Sequence, residues 1–150
     1  MSVKAGWSTP MFPVTEVEQS IEFYALLGFE TIDTEGSRPI AWARLHSVGG
    51  AIMLLRADYG HVVKPAEPGV ILYMYVPDLP AFRVQLIKDG MNVPAITYPG
   101  YMPSGELTLL DPDGYHVSVG HWGEKEHQVW LKKIGTERVE RFRDLQKGTD

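Results

Sequence analysis

The chain has 150 residues, 44% of them apolar and 22% charged, with a formal net charge of −5. That size and balance suit one soluble domain, or two small modules sharing a core, and the acidic excess argues against nucleic acid or an anionic membrane as partner. With no cysteine, disulfides, thiolate metal sites and a cysteine nucleophile are all excluded.

"TPMFPV" opens as a short extended segment whose prolines suit a sheet edge. "VTEVEQSIEFYALLGFE" follows with Val17, Ile21 and Tyr24 at helical spacing; Thr15 or Glu16 begins the helix and Gly28 caps its C-terminus. Three strand-like runs come next, "FETIDTE", "IAWARLH" and "AIMLLRA", with "SVGG" as a hairpin turn between the last two. The second half repeats this order. "GVILYMYV" reads as a strand, and "PDLPAFRVQLIKDG" as a helix between an Asp78 N-cap and a Gly90 C-cap. Three further strands, "AITY", "ELTLL" and "YHVSVG", complete the copy, the last two joined by "DPDG".

Val14 and Val76, Val17 and Leu79, Tyr24 and Leu86, and Gly28 and Gly90 are all 62 residues apart. The expectation is an α+β fold in which two βαβββ modules, about residues 8–57 and 69–122, form a curved, cup-like mixed sheet within one domain, 1–123. Residues 124–150 form a C-terminal helical extension, one broken helix or two short ones, with apolar patches at Trp130, Leu131 and Ile134 and at Val139, Phe142 and Leu145. The first residues lack the apolar core of a signal peptide, and the longest apolar run is too short to span a bilayer, so a cytoplasmic location is expected.

The ordered pair of signatures, "FYALLGF" and "DPDG", set in this double module, resembles the vicinal oxygen chelate superfamily over about residues 8–122. That superfamily includes glyoxalase I, extradiol dioxygenases, and the fosfomycin and bleomycin resistance proteins. In its metal-dependent members each module offers one ligand from its first strand and one from its last. The resemblance places these positions at Thr9, about Met53, Ile71 and Ser118. A hydroxyl, a thioether, a branched alkane and another hydroxyl make no set for zinc, magnesium, manganese or iron(II). The expectation is a metal-free protein without cofactor, similar to the bleomycin resistance proteins.

Strand alternation then lists the concave face: Thr9, Met11, Met53, Leu55, Ile71, Tyr73, Tyr75, His116 and Ser118, with Phe12, Val14, Leu72, Met74, Val76, Val117 and Val119 against the helices. Apolar walls with a few polar groups describe a small-molecule pocket. Tyr73 and Tyr75 either fill a barrel interior or stack on a ligand. His116 and His121, five apart on one strand, point to opposite faces and cannot close on one ion. Trp7, Trp42, Tyr98, Tyr101 and Trp122 stand near the mouth, in ligand contact or subunit packing. Arg44 and Arg56 pair with an anionic ligand or with surface acids. "PGYMPSGE", residues 99–106, reads as a mobile flap ending in Glu106, the one carboxylate well placed to meet a cationic ligand.

The reading is a homodimeric, metal-free protein binding an aromatic or planar, antibiotic-like ligand through Thr9, Met11, Trp42, Met53, Ile71, Tyr73, Tyr75, Tyr101, Glu106, His116 and Ser118. The alternative is a small metal-independent lyase or isomerase, with His116 as general base and Glu106 or a tyrosine as acid.

Overall fold

The computed structural model describes residues 8–57 and 70–135. Trp7, Gly69 and the patch of Val139, Phe142 and Leu145 lie outside the described residues. The first module runs β1 (Met11–Val14), α1 (Val17–Leu26), β2 (Glu30–Glu35), β3 (Trp42–His46) and β4 (Ala51–Arg56). Its sheet has the order β1-β4-β3-β2, with β1 parallel to β4 and the other pairs antiparallel. Pro13 sits on the edge strand, where a missing N–H costs least.

The second module runs β5 (Ile71–Val76), α2 (Leu79–Lys88), β6 (Glu106–Leu110) and β7 (His116–His121), and its sheet has the order β5-β7-β6. It holds one strand fewer than the sequence predicts. Of "AITY" only Thr97 pairs, exchanging two backbone hydrogen bonds of 2.9 Å with Glu106. Pro94 and Pro99 flank that run and carry no N–H, so a longer ladder has no donors at its ends. A third helix, α3 (Glu124–Ile134), follows β7 directly and stops at Gly135.

The repeat is visible in the helix ends. In α1, Phe29 N–H donates to Tyr24 O and Gly28 N–H to Ala25 O; in α2, Met91 N–H donates to Leu86 O and Gly90 N–H to Ile87 O. Both are six-to-one and five-to-two closures around a glycine with positive φ, +97° at Gly28 and +90° at Gly90. The N-termini differ. Asp78 caps α2 by accepting from Ala81 N–H at 3.0 Å, but α1 has no side-chain cap. Thr15 is diverted: its N–H and hydroxyl both donate to Asp113 of the other module.

That diversion belongs to a clasp between the modules. Tyr24 on α1 donates to Asp111 at 2.9 Å, Tyr115 donates to Pro13 O at 2.7 Å, and the Phe12 and Tyr115 rings meet at 5.0 Å. Asp111 also accepts from the N–H groups of Asp113 and Tyr115, at 2.9 Å each. The two sequence signatures are therefore the two sides of one contact. Around it lies a single core that includes Phe12, Val14, Tyr24, Leu54, Leu86, Val117 and Val119.

One buried group in that core is unsatisfied. Ser20 on α1 is fully enclosed, and among the described residues its hydroxyl has no hydrogen-bond partner. Removing the hydroxyl frees a desolvated donor and installs a better helix former. Ser20→Ala should therefore raise the unfolding free energy by about 1 kcal/mol in urea denaturation. A loss of stability would show that the hydroxyl is bonded.

Candidate ligand-binding site

Register across the second sheet arranges its concave face in three rows. Ile71, His116 and Leu110 form the first, Tyr73, Ser118 and Thr108 the second, and Tyr75, Gly120 and Glu106 the third. Alternation sends Val117 and Val119 into the core, where both are fully buried, and His121 with them to the far side. There His121 Nδ1 accepts from Leu79 N–H at 3.2 Å, and its other ring nitrogen lies 3.7 Å from Glu126. The two histidines thus face opposite ways.

The third row has a gap at Gly120, and Tyr73 fills it. A Cβ on Gly120 would stand 3.0 Å from the Tyr73 hydroxyl and 3.1 Å from Met102 Cε. Across that gap Tyr73 leans one row over and donates to Glu106 Oε2 at 2.6 Å. Glu106 Oε1 accepts from the Tyr101 hydroxyl. Glu106 is only 9% exposed, yet among the described residues both donors to its carboxylate are phenols and no cationic side chain pairs with it. Burial, then the bond to Glu106, pushes the Tyr73 phenol well above its ordinary range; the bond to Glu106 raises Tyr101. In the next row, the Thr108 and Ser118 hydroxyls are 3.0 Å apart.

Beside this polar cluster runs a line of rings. Tyr73 meets Tyr75 at 5.2 Å between centroids, Tyr75 meets Trp122 at 5.4 Å, and Trp122 meets Trp130 of α3 at 5.9 Å. Tilted and edge-on geometries at these spacings are favourable for aromatic pairs. Tyr75 remains 58% exposed, which leaves one ring of the line open to a partner.

Segment 99–105 is tied down over this face by nested turns. Met102 N–H donates to Pro99 O, Gly105 N–H to Met102 O, and His121 N–H to Gly105 O. Met102 is buried beneath, and Ser104 donates to Glu126 of α3 at 2.6 Å.

The remaining candidates belong to the first sheet. Met11 pairs with Met53, and Trp42 with Leu55, all on the concave side. The Arg44 guanidinium lies over the Trp42 ring at 5.9 Å and donates to Met53 Sδ at 3.7 Å. Thr9 precedes β1. Among the described residues, the side-chain hydrogen bonds and ring contacts of the candidates do not cross from one sheet to the other. Two groups result: Met11, Trp42 and Met53 in one, and Tyr73, Tyr75, Tyr101, Glu106 and Ser118 in the other. A groove of about 270 Å³ lies elsewhere, between the β3–β4 turn and the free edge of β5, and touches Tyr73 and Tyr75 but not Glu106 or Ser118. Its position follows from the open edge of β5, whereas the convergent polar groups sit on the face of the sheet; the face is the better candidate.

Solved structures share this fold. A bleomycin-binding protein complexed with bleomycin matches with a TM-score of 0.63 at 17% identity, over 79% of this chain and 99% of that one. The chain has the bleomycin resistance fold. A bleomycin resistance determinant encoded on the transposon Tn5 matches at 0.62 with 20% identity, over 80% and 99% of the two chains. An antibiotic-binding protein from Streptomyces sp. CB03234 matches at 0.58 with 19% identity, over 81% and 98%. No protein-family model and no curated protein matches the chain.

The bleomycin resistance fold is shared with metal-dependent enzymes, so the four ligand positions bear testing. Ile71 is an exposed alkane, and the Met53 thioether already faces a guanidinium, which repels a cation. Ser118 is only 8% exposed, and its hydroxyl is engaged with Thr108. Thr9, just before β1, leaves at most one hydroxyl. These residues do not fit a divalent ion. Among the described residues, no three His, Asp or Glu side chains converge elsewhere. No described helix is long and apolar enough to cross a membrane.

Sequence reasoning missed Thr108, Gly120 and Trp130. The alternation within "ELTLL" carries Thr108 to the face of Glu106. The role of Gly120 has no sequence signal, since it depends on where a tyrosine 47 residues away leans.

Proposed function

We propose that the chain is a metal-free, non-enzymatic small-molecule binding protein of the bleomycin resistance type. It holds an aromatic or planar, antibiotic-like ligand on the concave face of the second sheet. The observation that carries this is the line of rings from Tyr73 to Trp130, open at Tyr75 and bordered by Glu106, Thr108 and Ser118. Ring stacking supplies affinity and the few polar groups supply orientation. The binding of bleomycin and of an antibiotic by proteins of the same fold supports that reading. Exposed Met11 and Ile71 support a homodimer, and the small acidic domain suits the cytoplasm.

The lyase or isomerase reading has less to rest on. His116 lies in the first row and Glu106 in the third, four residues apart along the strands, or about 13 Å. His116 has no hydrogen-bond partner among the described residues to orient it as a base.

Protein dialysed against a chelator should quench its tryptophan fluorescence on titration with bleomycin or 2-(1-naphthyl)ethanol, at the same affinity as untreated protein. Trp122→Ala should weaken binding about tenfold or more. A divalent ion retained at one per chain by elemental assay, with binding lost on its removal, overturns the metal-free reading.

A further inference from the structure

The Glu106 cluster is incomplete as a structural device. A carboxylate offers about four lone-pair positions, and here two are filled, both by uncharged phenols. A buried carboxylate that serves only the fold is usually paired with a cation or ringed by backbone N–H groups. The two phenols differ in how firmly they are held. Tyr73 is wedged across Gly120 in contact with Tyr75, so its hydroxyl is fixed. Tyr101 projects from segment 99–105 with 73% of its surface exposed, and among the described residues its hydroxyl bond to Glu106 is its side-chain anchor. Turning it outward uncovers little apolar area and breaks one hydrogen bond.

Resting on the binding reading above, we propose that Glu106 recognises a cationic nitrogen of the ligand, a primary ammonium or guanidinium, and that the Tyr101 hydroxyl is the placeholder which that group displaces. Glu106 and Tyr75 share a row two strand spacings apart, about 9.6 Å, so an aryl ring on Tyr73 and Tyr75 with a short alkylamine arm meets both. The ligand class is an aromatic amine with its charge one short linker from the ring. Arg44, the guanidinium of the first sheet, packs on Trp42 and Met53 and puts the opposite charge on the other concave face.

The test is a matched pair, 2-(1-naphthyl)ethylamine against 2-(1-naphthyl)ethanol, titrated into the full chain by calorimetry at neutral pH. The amine should bind about tenfold or more tighter, the usual advantage of a charge-assisted hydrogen bond. Glu106→Gln should remove that preference, leaving the amine no tighter than the alcohol in the same variant. Tyr101→Phe should tighten the amine severalfold, because no hydroxyl then competes. A readout without any variant is the Tyr101 phenol, followed by NMR of ring-labelled tyrosine: it should titrate above the ordinary range alone and fall back when the amine saturates. Equal affinity of amine and alcohol for the unmodified chain, or a Tyr101 titration unmoved by amine, overturns the cation proposal and leaves the aromatic site standing. Failure of both compounds to bind overturns the two together.

Discussion

Asp111→Ala should lower the unfolding free energy by about 3–5 kcal/mol. The carboxylate accepts from Tyr24 on α1 and from the N–H groups of Asp113 and Tyr115, so its removal strands three donors at once. It also loosens the "DPDG" turn that presents Asp113 to Thr15 and Tyr115 to Pro13, which is where the modules are joined. Asp111→Asn keeps one acceptor oxygen and should cost about half as much. The pH dependence separates the two roles of the group. Burial holds the Asp111 carboxyl above the ordinary aspartate range, against the opposing pull of its hydrogen bonds. A raised folded-state value means that the protonated form favours the folded chain. That contribution is complete below about pH 3.8 and is lost as pH rises through the raised value. The stability difference between the unmodified chain and Asp111→Asn, which cannot titrate, should therefore narrow from acid toward neutral pH in urea denaturation. A difference that widens toward neutral pH would mean that the hydrogen bonds outweigh burial.

How much of this was legible in the sequence depends on the range of the interaction. The helix ends were, because Gly28 and Gly90 close turns within six residues. So was the division of each strand into two faces: Val117 and Val119 are buried while His116 and Ser118 face the other way, as a period of two requires. The clasp was not. Thr15 looks like a helix cap in "VTEVEQ", and only its position against Asp113, 98 residues on, shows that the side chain is spent elsewhere. The same holds for Tyr24 and Asp111, 87 residues apart, each recognisable as part of a signature but not as partners. From the sequence the candidate site is a single cup. Strand pairing distributes it over two sheets, with Trp42, Met11 and Met53 on the one that carries Arg44 and with Glu106 and the line of rings on the other. Alternation fixes which face a side chain takes, but carries no information on which sheets share a face.

Gly105→Ala should destabilise the chain by about 2–4 kcal/mol and remove ligand discrimination with it. Gly105 has φ +113°, a conformation that a side chain strongly disfavours, and a Cβ there would stand 2.8 Å from Ile96 Cγ2 and 3.3 Å from Tyr98 Cε1. The backbone cannot rotate away cheaply. Its N–H donates to Met102 O and its carbonyl accepts from His121 N–H, so any relief breaks the turn or the end of the β7 pairing. Glu106 is the next residue, and its carboxylate has to meet both Tyr73 and Tyr101 within hydrogen-bond distance; a shift of this corner by a fraction of an ångström misplaces it. Gly100→Ala is the matching control, five residues away in the same segment, with open space around its Cβ and no positive φ. Thermal unfolding and the amine–alcohol comparison on both variants decide the point. Gly105→Ala should lose stability and amine preference, and Gly100→Ala neither. If Gly105→Ala melts early yet still prefers the amine, the carboxylate is positioned by β6 alone and the turn serves only the fold.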